Sequence, residues 1–347
     1  MATLTFSPRL KRLMAARVGQ PAPVEARERP TRPVRVGPDN AEPEADSRPF
    51  WDFETEEDAR KEDRARVKGL KLARPREGRT TWTNLGPRLR LLKQMPHPTA
   101  FPERQAGDFD RFLHRLDGEA KGVPSNSLGS SVTMRTIRET VFGAMLTAFE
   151  DYPDGALETF TVINQNWTVS PADLDKTSAE KLKGRFRADL NKVGITRMQG
   201  PFIAFLHCEF EPASGLYIPH FHGTTTREKA EVLKGLKAKE GSKKFLGYVP
   251  TATGGAPVVC KPVRDRHRQF SYLLKSYWPA RTIRWIDGAP KRDRKHHRIP
   301  EPFASQVLLW LDRQRLRDLT IMNDCWSMRN GGTEAMKQLY LSVFGAW

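Results

Sequence analysis

Leu216-Tyr217-Ile218-Pro219-His220-Phe221-His222-Gly223-Thr224-Thr225-Thr226 has the composition of a β-strand, rich in β-branched and aromatic residues. Side chains alternate across a strand, so His220 and His222 share one face and Phe221 anchors the other. Two imidazoles side by side suit one divalent metal ion. A second strand, Phe202 to Phe210, precedes it, and Pro212-Ala213-Ser214-Gly215 has turn chemistry, so the two are expected to pair as a hairpin. Centring the turn there sets His207 roughly opposite His220, with His207, Glu209 and Glu211 on one face of their strand. Two histidines are too few for a tight site, and a third protein ligand is expected. Glu209 is the first choice, His207 the next and Glu211, nearest the turn, the last. A carboxylate suits Mg²⁺ or Mn²⁺, whereas a third imidazole suits a softer metal.

The chain has 347 residues, a net charge of +17 and a pI of about 10.0. That surplus favours a polyanionic partner, nucleic acid before an anionic membrane. Cys208, Cys260 and Cys325 are scattered without a CxxC pair, which indicates neither a disulfide framework nor a zinc finger and fits a reducing cytoplasm. No apolar run is long enough to span a membrane, and the Arg- and Pro-rich N-terminus lacks the apolar centre of a secretory signal.

Four regions follow from composition and periodicity. Residues 1–95 read as a mostly disordered basic arm, with a transient charged helix at Glu56 to Val67. Residues 96–155 carry helical patterns at Phe109 to Leu116 and Met134 to Phe149. Residues 156–282 alternate as strand Phe160 to Trp167, helix Ser178 to Val193, the two hairpin strands, helix Arg227 to Lys239, strand Ala256 to Val263 and helix His267 to Trp278. Residues 283–347 continue a basic loop that starts at Arg281 and add helices at Phe303 to Leu319 and Thr333 to Phe344. The order β-α-β-β-α-β-α predicts an α+β fold, a central antiparallel sheet with helices on its face.

On the last helix of that order, Tyr272-Leu273-Leu274-Lys275 sets a phenol and an ammonium at i and i+3, on one helical face. The phenol is a weak nucleophile at its usual pKa of about 10 and needs a positive charge or a base beside it. By itself Tyr-x-x-Lys is a common tetrapeptide; its position after a His-x-His strand is what gives it weight.

Pro219-His220-Phe221-His222-Gly223 followed by Tyr272-Leu273-Leu274-Lys275 resembles the HUH endonuclease superfamily, and within it the rolling-circle replication initiators of bacterial plasmids and phages. The likeness covers roughly residues 156–282. It implies a ferredoxin-like-type core and a metal-dependent nickase that joins itself to the 5′ end of a DNA strand. It also implies His220 and His222 as metal ligands, Tyr272 as nucleophile and Lys275 beside the scissile phosphate. Implied partners are single-stranded DNA at a replication origin, a host helicase and a DNA polymerase, since the chain has no helicase-like phosphate loop. Some members of the superfamily use two tyrosines. Tyr277 stands five residues on, about 140° around a helix, so a single nucleophile is expected, with Tyr277 and Trp278 in the core or on a base-stacking surface.

Other His-x-His chemistries fit less well. Histidine-triad hydrolases need a histidine where Thr224 stands. Two-histidine phosphoesterases need a second His-x-Thr/Ser strand, and His97-Pro98-Thr99 is flanked by Pro96. A conjugative relaxase or single-strand transposase would share the chemistry. A non-catalytic nucleic-acid-binding protein, with His220 and His222 as plain strand residues, would suit the charge, the aromatic content and the sheet.

Overall fold

Strands whose two faces are both apolar need cover on both sides, and the fold supplies it with helices. The computed structural model describes residues 53–73, 103–123, 125–239, 243–251, 254–275, 278–286, 289–292 and 297–324. Its centre is β1 (Leu157–Ile163), β2 (Phe202–Glu211), β3 (Leu216–Thr226) and β4 (Val258–Pro262), in the spatial order β4-β1-β3-β2, with every neighbour antiparallel. β5 (Pro279–Ala280) runs parallel to β2 at Phe210 and is followed outward by β8 (His297–Arg298), while β9 (Thr320–Asn323) pairs antiparallel with Phe202–Phe205 of β2. The sheet is therefore mixed rather than purely antiparallel. A separate hairpin joins β6 (Ile283–Ile286) to β7 (Ala289–Arg292), within the stretch expected to be a basic loop.

Three helices pack against the sheet, and each starts on a side-chain cap. After the single turn of α4 (Pro171–Leu174), Ser178 accepts from the Lys181 N–H to start α5 (Ala179–Val193), which ends at Gly194 with φ 93°. Leu182, Phe186 and Leu190, spaced by four, are its buried stripe, and Phe186 stacks on Phe221 of β3 at 4.5 Å. Asp265 caps α7 (Arg266–Leu273) on the opposite face of the sheet. There α7 meets α3 (Ser131–Ala148) through Phe270 and Phe149, 5.4 Å apart. Thr226, the last residue of β3, caps α6 (Arg227–Leu233). Helices thus cover both faces of the sheet, not one.

Several expected elements differ. The first strand stops at Ile163, where the Asn164 side chain accepts the Asn166 N–H and turns Gln165–Trp167 into a 3₁₀ turn. The helix expected to run to Trp278 ends at Leu273 instead: Leu274 is extended (φ −111°, ψ 101°). Pro279 disfavours a helical Trp278, and the chain must reach the edge of β2. The helix from Arg227 is likewise shorter than expected. The stretch Phe303 to Leu319 divides into α8 (Phe303–Asp312) and α9 (Leu316–Leu319), and the helix expected at Thr333 to Phe344 lies outside the described residues.

The main surprise is α1 (Glu56–Ala73), expected to be a transient charged helix in a disordered arm. Its buried face is Ala59, Asp63, Arg66, Val67 and Leu70, a helical stripe in which two of the five members are charged. Asp63 accepts from the N–H groups of Ser131 (2.6 Å) and Val132 (3.2 Å) and from the Ser130 hydroxyl (2.8 Å), so it caps α3 from another helix. Arg66 donates to the Gly129 carbonyl at 2.9 Å. Val67 and Leu70 join Phe112 and Leu116 of α2 (Glu103–Glu119) and Leu309 of α8 in a satellite core. Residues 1–52 and 74–95 of the expected arm lie outside the described residues. Among the described residues no helix is long and apolar enough to cross a membrane.

Candidate active site

The hairpin register decides which side chains meet. His207 of β2 lies directly across from His220 of β3, and His222 lies between Phe205 of β2 and Thr161 of β1. Thr161, His207, Glu209, His220 and His222 therefore share one face of the sheet. On the other face Phe221 is enclosed by Phe186 and Trp167, the anchor expected from the alternation.

The two motif imidazoles turn their Nε2 atoms toward each other at 3.0 Å. Their other nitrogens are held: His220 Nδ1 lies 2.9 Å from the Ile218 carbonyl oxygen, and His222 Nδ1 lies 2.8 Å from Thr161 Oγ1. A carbonyl only accepts, so His220 carries its proton on Nδ1 and offers a bare Nε2. The Thr161 hydroxyl can donate or accept. When it donates, His222 holds its proton on Nε2 and donates to His220. When it rotates and accepts from Nδ1–H, both Nε2 lone pairs face the same point. A cation bonded to two imidazole nitrogens at about 2.1 Å and about a right angle holds them roughly 3.0 Å apart, so the pair fits a shared divalent cation.

The third ligand is not in place. His207 is buried beside them, with ring centroids 5.1 Å from His222 and 6.2 Å from His220. The Leu273 backbone is near enough to favour its charged form, yet no hydrogen bond meets either ring nitrogen. Glu209, 5% exposed, is engaged by Arg281, whose Nε lies 2.9 Å from Oε1. Glu211 faces the turn and accepts from the Ser214 hydroxyl. Among the described residues no group of three or more His, Cys, Asp or Glu side chains is arranged to hold a metal ion.

Tyr272 and Lys275 complete the surroundings. The Tyr272 ring stands 6.4 Å from that of His222, and both line a cleft of about 530 Å³ with Thr161, Glu209, His220 and Arg281. Tyr272 is 50% exposed, so its ring is open to a large substrate. Burial of the rest of the phenol raises its pKa; the Arg281 charge, beside the hydroxyl, works against that rise. Lys275 lies past the end of α7, not on its face, and reaches its tyrosine differently from the expected i, i+3 pairing: Nζ sits 4.9 Å over the ring. Exposed Lys261 and Arg268 line the same cleft. Trp278 packs on Trp310 at 5.1 Å in the core, and Tyr277 lies outside the described residues.

Thr161 and Arg281 were not singled out by sequence. Thr161 sits in the first strand opposite His222 and would emerge from the register alone. Arg281 is one of many arginines in a basic stretch, and nothing local distinguishes it.

Burial holds His207 and His222 well below the ordinary histidine range, with neighbouring imidazoles and Lys275 adding to the shift. Their folded pKa values lie below the unfolded value, so the unfolded chain binds more protons once the pH falls below about 6.5. Stability is then fully present above that pH and lost as pH falls, by up to about 1.4 kcal/mol per pH unit for each ring. Urea unfolding in EDTA should give a midpoint that drops from about pH 7.5 to about pH 5. A midpoint that stays flat over that window would mean the rings are solvated or charged in the fold.

Set against known proteins, the chain matches no family model, no curated protein and no solved structure.

Proposed function

We propose that this protein is a metal-dependent, single-tyrosine DNA nickase of the HUH type that initiates rolling-circle replication. The observation that carries the proposal is the shared cleft: an open tyrosine stands beside two histidines whose Nε2 atoms converge to 3.0 Å. The β-α-β-β-α-β path with strand order β4-β1-β3-β2 supports it as well, being the ferredoxin-like arrangement expected of such a core.

His220 and His222 would hold the cation, Mg²⁺ or Mn²⁺, with Glu209 or His207 as the third protein ligand. When bound, it would supply positive charge against a non-bridging phosphate oxygen. The chain's own residues do the rest. Lys261 and Arg268, exposed along the cleft, hold the strand through its phosphates. The Tyr272 oxygen attacks the phosphorus and a new O–P bond forms. The bond to the 3′ oxygen breaks, and that oxygen leaves as a hydroxyl while the phenol gives up its proton. One phosphoester replaces another, so the strand can later be rejoined. Lys275, over the Tyr272 ring, adds positive charge next to the reacting phosphate. The released 3′ hydroxyl suits extension by a host polymerase, with strand separation left to a host helicase.

The test is a covalent adduct. Protein incubated with single-stranded origin DNA and Mn²⁺ or Mg²⁺ should yield a species that survives boiling in detergent, and EDTA should prevent it. Absence of any adduct across strands tiling the origin would leave a binding module as the better description.

A further inference from the structure

We propose that Arg281 is a latch on Glu209. It holds the carboxylate until a phosphate of the substrate strand draws the guanidinium away, and Glu209 then joins His220 and His222 around the divalent cation. This inference rests on the nickase reading and concerns how its metal site is completed.

The charge balance of the cleft motivates it. Glu209 is almost fully buried, and a buried carboxylate needs a counter-charge. Arg281 supplies one at 2.9 Å, with Nε approaching Oε1 out of line for a hydrogen bond, so at that atom charge holds the contact. The arginine's backbone is fixed, its N–H donating to the Phe210 carbonyl at 2.9 Å, one residue from Glu209. Its side chain keeps 20% exposure. The guanidinium also stands by the Tyr272 hydroxyl, where its charge works against the rise that burial imposes on the phenol pKa. A phosphate brought to that hydroxyl meets Arg281 at once, and guanidinium binds phosphate in bidentate fashion. Glu209 shares the face of His220, diagonal to it across the β2–β3 register, and lines the same cleft. The missing third donor is therefore present in the cleft and occupied. Once the arginine leaves, a divalent cation held by His220 and His222 would restore positive charge beside the carboxylate. Strand and cation then strengthen each other's binding by an equal factor.

The experiment measures binding of Mn²⁺ by the full chain, by electron paramagnetic resonance of the free ion, in a Tyr272→Phe background that prevents cleavage. Arg281→Gln should tighten Mn²⁺ binding about five- to tenfold with no DNA present, and adding Glu209→Gln should remove that gain. Arg281→Lys, which keeps the charge and a similar length, should fall between. An oligothymidylate should tighten Mn²⁺ binding when Arg281 is present and do so much less in Arg281→Gln. Unchanged or weaker Mn²⁺ binding in Arg281→Gln, with thermal unfolding unaltered, overturns the latch. If wild type forms the DNA adduct while Mn²⁺ affinity ignores Arg281, the latch alone fails. If Mn²⁺ responds to Arg281 through Glu209 but no adduct forms, the latch stands and the nickase reading fails.

Discussion

Tyr272→Phe should abolish the proposed covalent adduct with single-stranded DNA and leave the protein as stable as wild type. The substitution deletes one oxygen, the atom that would become bonded to phosphorus. Adduct formation should fall by about a thousandfold or more, as it does when a nucleophile is removed from a site that acts as a unit. The side chain is half exposed and lies at the end of α7, so the unfolding free energy should change by less than about 0.5 kcal/mol. A denaturing gel and a thermal melt on the same preparation separate the two effects. Persistence of the adduct would move the nucleophile elsewhere. Tyr217 and Tyr248 are poor substitutes, since both are enclosed and their hydroxyls bond to the Phe303 carbonyl and to Asp189. Loss of the adduct together with loss of stability would mean that Tyr272 is a packing residue.

Gly223→Ala should be the most damaging small substitution in the central strand. Gly223 follows His222 and points to the face covered by α5, between Phe160 of β1 and Ala204 of β2. A Cβ there would overlap the Ile203 carbonyl oxygen and the Phe160 ring, closer than real Cβ atoms come to anything. Phe160 has no room to retreat, because it stacks on Phe202 at 4.9 Å, and the carbonyl belongs to the sheet ladder. Relief would require moving β2 away from β3, which is the register that sets His207 against His220. A loss of at least about 3 kcal/mol is expected, read as a lower urea midpoint, with metal-dependent activity falling alongside it. An alanine variant with wild-type stability would show that strands β1 to β3 are more loosely packed than this geometry allows.

The legibility of the chain followed the size of its local signals. β3 and the long β2–β3 hairpin were readable because alternation, a turn of Pro, Ala, Ser and Gly, and a run of β-branched residues all agree. α5 was readable from Leu182, Phe186 and Leu190 and from its Ser and Gly ends. α1 was missed as a packed helix because Asp63 and Arg66 occupy core-facing positions, and hydrophobic periodicity gives no weight to a carboxylate that caps another helix. The early end of α7 was missed because tertiary contacts, not a local breaker before Pro279, stop it.

The amino-acid sequence alone determined which side chains stand together on a strand. Period two sets His220 and His222 on one face, Phe221 on the other, and the turn aligns His207 with His220. What each of those groups touches was decided only by the tertiary structure. Thr161 reaches His222 from a strand about sixty residues earlier. Arg281 reaches Glu209 from beyond α7, and Tyr272 comes to His222 because α7 crosses that face of the sheet. Alternation along a strand is a local property of the backbone. The partners of a buried charge depend on where distant segments are brought by packing, and no short stretch of sequence carries that information.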